Sequence, residues 1–132
     1  MAIERSLAAL EQVPLTITSN GKVHRFTVEV ARSGAEQEIG LMNRHSLAPD
    51  HGMIFLYETP RAVAFWMKDT MIPLDLIFLG PGGRILRIED NALPHSLEPL
   101  PSGGEVEAVL ELNGGRAASL GIRDGDQVDW KL

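Results

Sequence analysis

Cysteine is absent from this sequence. Disulfide bonds, thiolate metal sites and cysteine nucleophiles are therefore excluded. Aromatic residues are scarce as well, at 5% of the chain, and no aromatic signature of an RNA-binding module occurs. No stretch approaches the roughly 20 apolar residues of a membrane-spanning helix, so no membrane span is predicted.

Basic residues are outnumbered by acidic residues, and no stretch is rich in lysine or arginine. The formal net charge is −6 at pH 7, with charges of both signs mixed along the chain. This balance disfavours nucleic acids and anionic membrane surfaces as partners, because both attract basic faces. The partner that we expect is a small molecule, a glycan or another protein, and not a nucleic acid.

The length of 132 residues and the hydrophobic content of 44% are typical of one globular domain. Residues 1–13 are predicted to form an N-terminal tail or short helix, and residues 14–132 a single β domain. The N-terminal stretch contains Glu4, Arg5 and Glu11, so it lacks the apolar region of a signal peptide.

Runs of alternating apolar and polar residues, separated by turn residues, dominate the chain. Asn20-Gly21 lies between two such runs and predicts a hairpin. Ser33 followed by Glu36 matches a helix capping box and predicts a helix near residues 34–42. A second short helix is predicted over residues 113–120.

The strand pattern favours a mainly β fold. Some eight short strands with many glycine and proline turns predict a single-domain β-sandwich of jelly-roll type with two short helices. A Gly-Asp-x-Val sequence at residues 125–128 makes a double-psi-like β-barrel the alternative. Residues 62–67 and 74–79 are predicted strands, and residues 90–104, with three prolines, a long loop.

Residues 65–78 stand out because polar groups are embedded in apolar sequence on both sides. These groups are Lys68, Asp69, Thr70 and Asp75. A charge in apolar surroundings is costly unless it is paired or hydrogen-bonded, so each group needs a partner from the fold or from a ligand. This stretch is therefore the predicted site.

Several motifs of the chain resemble, in order and spacing, the bacterial and archaeal family called domain of unknown function 192. The motifs are residues 40–44 (GLMNR), 52–55 (GMIF), 65–70 (FWMKDT), 72–75 (IPLD), 109–112 (VLEL) and 114–115 (GG). The family usually has asparagine before the threonine of the third motif, where this chain has Asp69. The resemblance implies a mainly β domain of sandwich type but no reaction. Because many members look exported or lipid-anchored, it also implies a periplasmic or cell-envelope location.

Asp75 allows two interpretations. It is either a general acid/base or ligand-anchoring carboxylate whose pKa is raised by burial, or an internal brace. As a brace it would pair with Arg44, with Lys68, or with backbone amides that follow Pro73.

Trp66 and Lys68 are predicted to share one strand face. They would form a stacking platform with a neighbouring cation, suited to sugars, aromatic rings or carboxylates. The alternative is a core tryptophan beside a lysine that extends to solvent. Arg44 either presents a bidentate fork to an anionic ligand or neutralises Asp75 or Glu111.

Glu111 also lies among apolar neighbours. Together with Asp75 it could form a carboxylate pair of the glycosidase kind, which requires an open cleft between the two groups. The loop histidines do not have the spacing of a metal site, so no metal and no cofactor is predicted.

These observations predict a noncatalytic binding or accessory domain, with a small polar site around residues 66–75. The alternatives are a small hydrolase that uses Asp75 or Glu111, and a structural domain that docks on another protein. The candidate ligand-binding residues are Arg44, Trp66, Lys68, Asp69, Thr70, Asp75 and Glu111.

Overall fold

The computed structural model describes residues 10–132. The N-terminal tail or helix predicted for residues 1–13 falls for the most part on residues 1–9, outside the described residues. The first strand begins at Gln12, slightly before the predicted start of the β domain.

Residues 10–132 form nine strands and two short helices. The strands are β1 (Gln12–Ser19), β2 (Lys22–Ala31), β3 (His51–Arg61), β4 (Ala64–Phe65), β5 (Leu74–Leu79), β6 (Ile85–Ala92), β7 (Leu100–Pro101), β8 (Val106–Asn113) and β9 (Gln127–Trp130). The helices are α1 (Gly34–Ile39) and α2 (Arg116–Leu120), and Pro81–Gly83 form a 3-10 turn.

Seven strands make one sheet in the order β6-β5-β8-β3-β2-β1-β9, and β4 pairs with β7 in a separate ribbon. All pairs are antiparallel except β2–β3, whose parallel connection contains α1. A bridge between Arg84 and Gln127 joins the two edges, so the sheet curls towards closure. The prediction of a mainly β fold with two short helices is confirmed. One curled sheet, rather than two separate large sheets, provides its framework.

Each face of the curled sheet has its own apolar core. The inner cluster draws residues from all seven strands and includes Leu110 and Leu112 of β8. The outer cluster includes Val109 and is covered by residues from the segments around Leu41 and Met67. Because side chains alternate along a strand, Glu111 lies on the outer face with Val109. The candidate site therefore belongs to the outer core.

The predicted hairpin is confirmed. β1 and β2 pair with Ser19 opposite Lys22, and Asn20 and Gly21 have φ angles of 51° and 77°. Two positive φ angles at the turn are typical of type I′ hairpins, whose twist matches that of the strands.

Both helices are confirmed, with shorter bounds than predicted. The capping box at α1 is complete, since Ser33 and Glu36 each accept the other's backbone N–H. α1 ends at Ile39 because Gly40 adopts a positive φ of 49°. α2 starts only at Arg116, because β8 continues through Asn113.

The strand predicted over residues 62–67 is wrong in extent. Only Ala64–Phe65 pair, and they pair with β7 instead of the main sheet. Beyond them the N–H of Met67 donates to the carbonyl of Ser96 at 2.9 Å, so this backbone is held by a loop. The loop predicted over residues 90–104 likewise contains the end of β6 and all of β7.

Candidate functional site

The segment that follows β4 is anchored to the loop after β6. Besides the bond from Met67 to Ser96, the N–H of His95 donates to the carbonyl of Thr70 at 3.0 Å. Met67 is buried in the outer core, whereas the side chain of Trp66 is 48% exposed. The anchored segment therefore presents a large aromatic ring at the surface.

Asp69 occupies a tight turn. The N–H of Thr70 donates to the carbonyl of Met67 at 3.1 Å, and Asp69 has a φ of 53°. Asparagine and aspartate are enriched at such left-handed positions. The backbone conformation thus explains why either residue serves before the threonine of this motif.

Trp66 and Lys68 lie outside any strand, so the prediction that they share a strand face is wrong, but their side chains are adjacent. The ammonium nitrogen of Lys68 lies 5.4 Å from the centroid of the Trp66 ring. The interpretation of Trp66 as a core residue is wrong, since nearly half of it is exposed.

Asp75 is fully buried and is saturated by backbone amides. Its carboxylate accepts N–H groups from Asn91 at 2.8 Å, Gly115 at 2.9 Å and Ala117 at 2.8 Å. The brace interpretation is therefore the one that the geometry supports. The amides come from the end of β6 and the start of α2, and not from the residues after Pro73.

Arg44 pairs with neither predicted partner. Its guanidinium donates two hydrogen bonds to the carboxylate of Glu29 on β2, the one from Nη2 to Oε1 measuring 2.9 Å. The hydrogen bond to Glu29 also raises the pKa of Arg44. The expectation that Arg44 neutralises Asp75 or Glu111 is wrong.

Glu111 of β8 is a second buried acid among the predicted site residues. It is 4% exposed and lies between Met53 and Leu76 of the flanking strands. Among residues 10–132 its carboxyl group makes no hydrogen bond or ion pair. Burial raises its pKa to about 8. The carboxyl group is therefore mostly protonated at neutral pH.

Glu111 lines a cavity of about 40 Å³ on the outer face. Thr70 and the rings of Phe55, Phe65 and Trp66 line the same cavity. A cavity needs roughly 10–15 Å³ by this measure to hold one water molecule, so a small chemical group fits. Three of the predicted residues, Trp66, Thr70 and Glu111, are thus brought together.

A larger groove of about 420 Å³ lies next to this cavity, between α1, the end of β3 and residues 62–66. The two spaces share lining residues, which are Gln37, Glu38, Phe65 and Trp66. The volume falls within the range of about 300–1,000 Å³ that is usual for ligand pockets. We treat the groove and the Glu111 cavity as one candidate site.

Tyr57 and Arg61 add a second aromatic–cation pair to the groove. The Arg61 guanidinium carbon lies 5.4 Å from the centroid of the Tyr57 ring. Burial raises the pKa of Tyr57 to about 12. Neither residue was among the predicted site residues, because both lie at or beyond the end of the apolar run of residues 53–57. Their only sequence signal is the single tyrosine of the chain beside a charged turn.

Arg44 and Asp75 do not line the cavity or the groove. The carboxylate pair proposed for Asp75 and Glu111 is not supported, because amides occupy both oxygens of Asp75. Within residues 10–132, no cluster of three or more histidine, aspartate or glutamate side chains could hold a metal ion. No helix in that part of the chain is long and apolar enough to cross a membrane.

Comparison with known proteins agrees with this architecture. A crystal structure of a protein of unknown function from Novosphingobium aromaticivorans DSM 12444 is 50% identical, with a TM-score of 0.90, covering 92% of this chain and 86% of that chain. A protein from Sinorhizobium meliloti 1021, described as a "putative transcription regulator", is 40% identical, with a TM-score of 0.90 and coverage of 92% and 95%. No curated protein matches. Residues 15–130 match the family model DUF192, described as "Uncharacterized ACR", and the chain therefore belongs to the DUF192 family.

Proposed function

We propose that this chain is a noncatalytic binding module whose ligand, a small molecule or glycan, occupies the groove and the Glu111 cavity. The observation that carries the proposal is that one cavity is lined by an exposed Trp66 and by a buried Glu111 that has no partner among residues 10–132. Apolar walls with a few convergent polar groups are typical of ligand pockets.

The walls of the groove suit a ring-shaped ligand. Trp66 offers an indole ring with the Lys68 ammonium over it, and Tyr57 offers a phenol ring with the Arg61 guanidinium over it. Aromatic rings of this kind contribute contact area, while their polar ends supply direction. Gln37 and Glu38 of α1 bring further polar groups to the rim.

Isothermal titration against panels of glycans and small polar molecules tests this proposal. We expect Trp66→Ala to abolish the binding of any ligand found. The matched control is Leu86→Ala, which removes an exposed apolar side chain of β6 outside the groove. The proposal is contradicted if a ligand still binds the Trp66→Ala variant, or if no molecule of either panel binds the wild type.

A second candidate function is that of a small hydrolase. The raised pKa of Glu111, about 8, suits a general acid at neutral pH, and Glu38 is another carboxylate on the same cavity. Chromogenic glycosides and esters would reveal turnover. Loss of turnover in Glu111→Gln, with Glu107→Gln on the same strand unaffected, would favour this candidate.

Protein docking is a third candidate function, for the surface beside Trp66. Exposed apolar side chains of Met71, Leu93 and Leu97 support it, with relative exposures of 38%, 69% and 62%. Cross-linking through residues placed at positions 93 and 97 tests this role.

The periplasmic or envelope location is likewise a proposal from the family resemblance, and cell fractionation checks it.

DNA is not the partner that we propose, although one structural neighbour is described as a regulator. The net charge of −6 opposes contact with phosphates. The helices α1 and α2 have only six and five residues, which is short for a helix that reads the major groove.

A further inference from the structure

We propose that the part of the ligand that enters the Glu111 cavity is a primary ammonium group. This inference rests on the proposed binding function and assigns a chemical class to the group that the cavity takes. Three properties of the cavity support it, namely its hydrogen-bonding atoms, its aromatic rings and its charge balance.

Apart from the indole N–H of Trp66, the polar side chains of the cavity are left with hydrogen-bond acceptors. Thr70 Oγ1 donates its proton to the carbonyl of Lys68 at 3.0 Å, so its free capacity is to accept. The amide nitrogen of Gln37 donates to two backbone carbonyls at 3.1 and 2.8 Å, which leaves its oxygen. An ionised Glu111 also accepts only. A group with three donors and no acceptor, such as an ammonium, complements this set.

The apolar part of the cavity includes three aromatic residues beside Ile39, Leu41 and Met42, and aromatic rings attract cations. Phe55 and Phe65 meet edge to face, with centroids 5.0 Å apart, and Trp66 completes the wall. The negative face of an aromatic ring stabilises a nearby ammonium. The Lys68 ammonium already lies 5.4 Å from the centroid of the Trp66 ring.

Charge balance points the same way. Glu111 lacks a counterion among residues 10–132, and its burial disfavours the ionised form. A bound ammonium would supply the missing positive charge, and Glu111 would then release its proton. In the described part of the chain, the other charged or titratable groups around the site are Glu38 from α1, Tyr57 and Arg61 from β3, and Lys68 from the covering segment. Tyr57 is uncharged at neutral pH, because its pKa is about 12.

Titration with n-butylamine, n-butanol and butyrate at about pH 6.5 tests the inference, since the three probes share a chain and differ in the end group. We expect only the amine to bind, with release of about one proton, measured by repeating the calorimetry in buffers of different ionisation enthalpy. We expect Glu111→Gln to weaken amine binding about tenfold or more, because the amide oxygen of glutamine still accepts a hydrogen bond but carries no negative charge. Glu107→Gln is the control and should bind as the wild type does.

Thr70→Val provides a second variant that keeps the volume and removes the acceptor oxygen. Circular dichroism and thermal unfolding establish that each variant is folded before binding is measured. Preferential binding of butanol or butyrate, or amine binding without proton release, overturns the ammonium assignment. A glycan that binds through Trp66 while all amines fail would refute this inference alone. Failure of every ligand would remove the binding function as well.

Discussion

The carboxylate of Asp75 in β5 accepts the backbone N–H of Ala117 in the first turn of α2, with 2.8 Å between oxygen and nitrogen. The same carboxylate accepts N–H groups from Gly115 and Asn91. N–H groups at a helix start have no partner within the helix, so Asp75 satisfies donors that the fold would otherwise leave buried. The residue with the strongest sequence signal for catalysis is thus a connector of three elements.

Replacing Asp75 with asparagine should destabilise the protein by about 3 kcal/mol, because hydrogen bonds to a charged acceptor are lost and an amide N–H₂ faces backbone donors. Urea unfolding followed by circular dichroism measures this change. Asp124→Asn is the control, since Asp124 is exposed. Equal stability of the Asp75 and Asp124 variants would contradict the connector role.

Glu111 should make stability depend on pH. Its pKa is about 8 in the folded protein against 4.5 for a glutamate exposed to solvent, so between these values the folded state holds up to one proton more than the unfolded state. This contribution is fully present below about pH 4.5 and is lost as pH rises, at about 1.4 kcal/mol per pH unit, until about pH 8. Glu111→Gln removes it.

Denaturation of wild type and Glu111→Gln at about pH 5 and about pH 8.5 isolates the contribution of Glu111 to stability. The contributions of the other titrating groups are the same in both proteins and cancel in the difference. We expect the variant to gain stability over the wild type at the higher pH only. Glu107→Gln, a control on the same strand, should show no such change. A difference between wild type and Glu111→Gln that is the same at both pH values would mean that Glu111 is ionised in the fold or paired.

Local features of the fold could be predicted from sequence because short-range interactions determine them. The Asn20-Gly21 turn, the capping box of Ser33 and Glu36, and the strand over residues 74–79 each depend on neighbouring residues. The alternation of residues 62–67 also fits a strand, but the hydrogen bonds of that backbone go to a distant loop. The alternation of apolar and polar residues does not distinguish a sheet strand from a segment whose backbone is bonded to a loop.

The candidate site was only partly predictable, since tertiary contacts select its members. Arg44 could pair with any nearby acid, and the parallel placement of β2 beside β3 gives it Glu29. Tyr57 and Arg61 belong to the site only because α1 packs across from the end of β3. Trp66 was identified because a large aromatic residue beside embedded charges is unusual on a buried strand.

Asp69 should tolerate asparagine but not valine. Asparagine readily adopts the φ of 53° that Asp69 has, so Asp69→Asn should change the free energy of unfolding by no more than about 0.5 kcal/mol. A β-branched residue in the left-handed region costs roughly 1–2 kcal/mol, so Asp69→Val should destabilise the protein by that amount. Urea midpoints compare the two. If valine were as stable as asparagine, the turn at Met67–Thr70 would not require this conformation.

Gly52 of β3 is the position where an added methyl group should do most harm to the site. A Cβ there would lie 2.4 Å from the carbonyl oxygen of Glu111 and 2.8 Å from Cδ2 of Leu112. Gly52→Ala should therefore separate β3 from β8 and cost about 1–3 kcal/mol or more. Gly34→Ala is the matched control: no atom lies within 4 Å of its Cβ, and alanine favours the helix. Thermal unfolding should rank Gly34→Ala at or above the wild type and Gly52→Ala well below it. The reverse order would mean that β3 can move away from Glu111 without loss of stability.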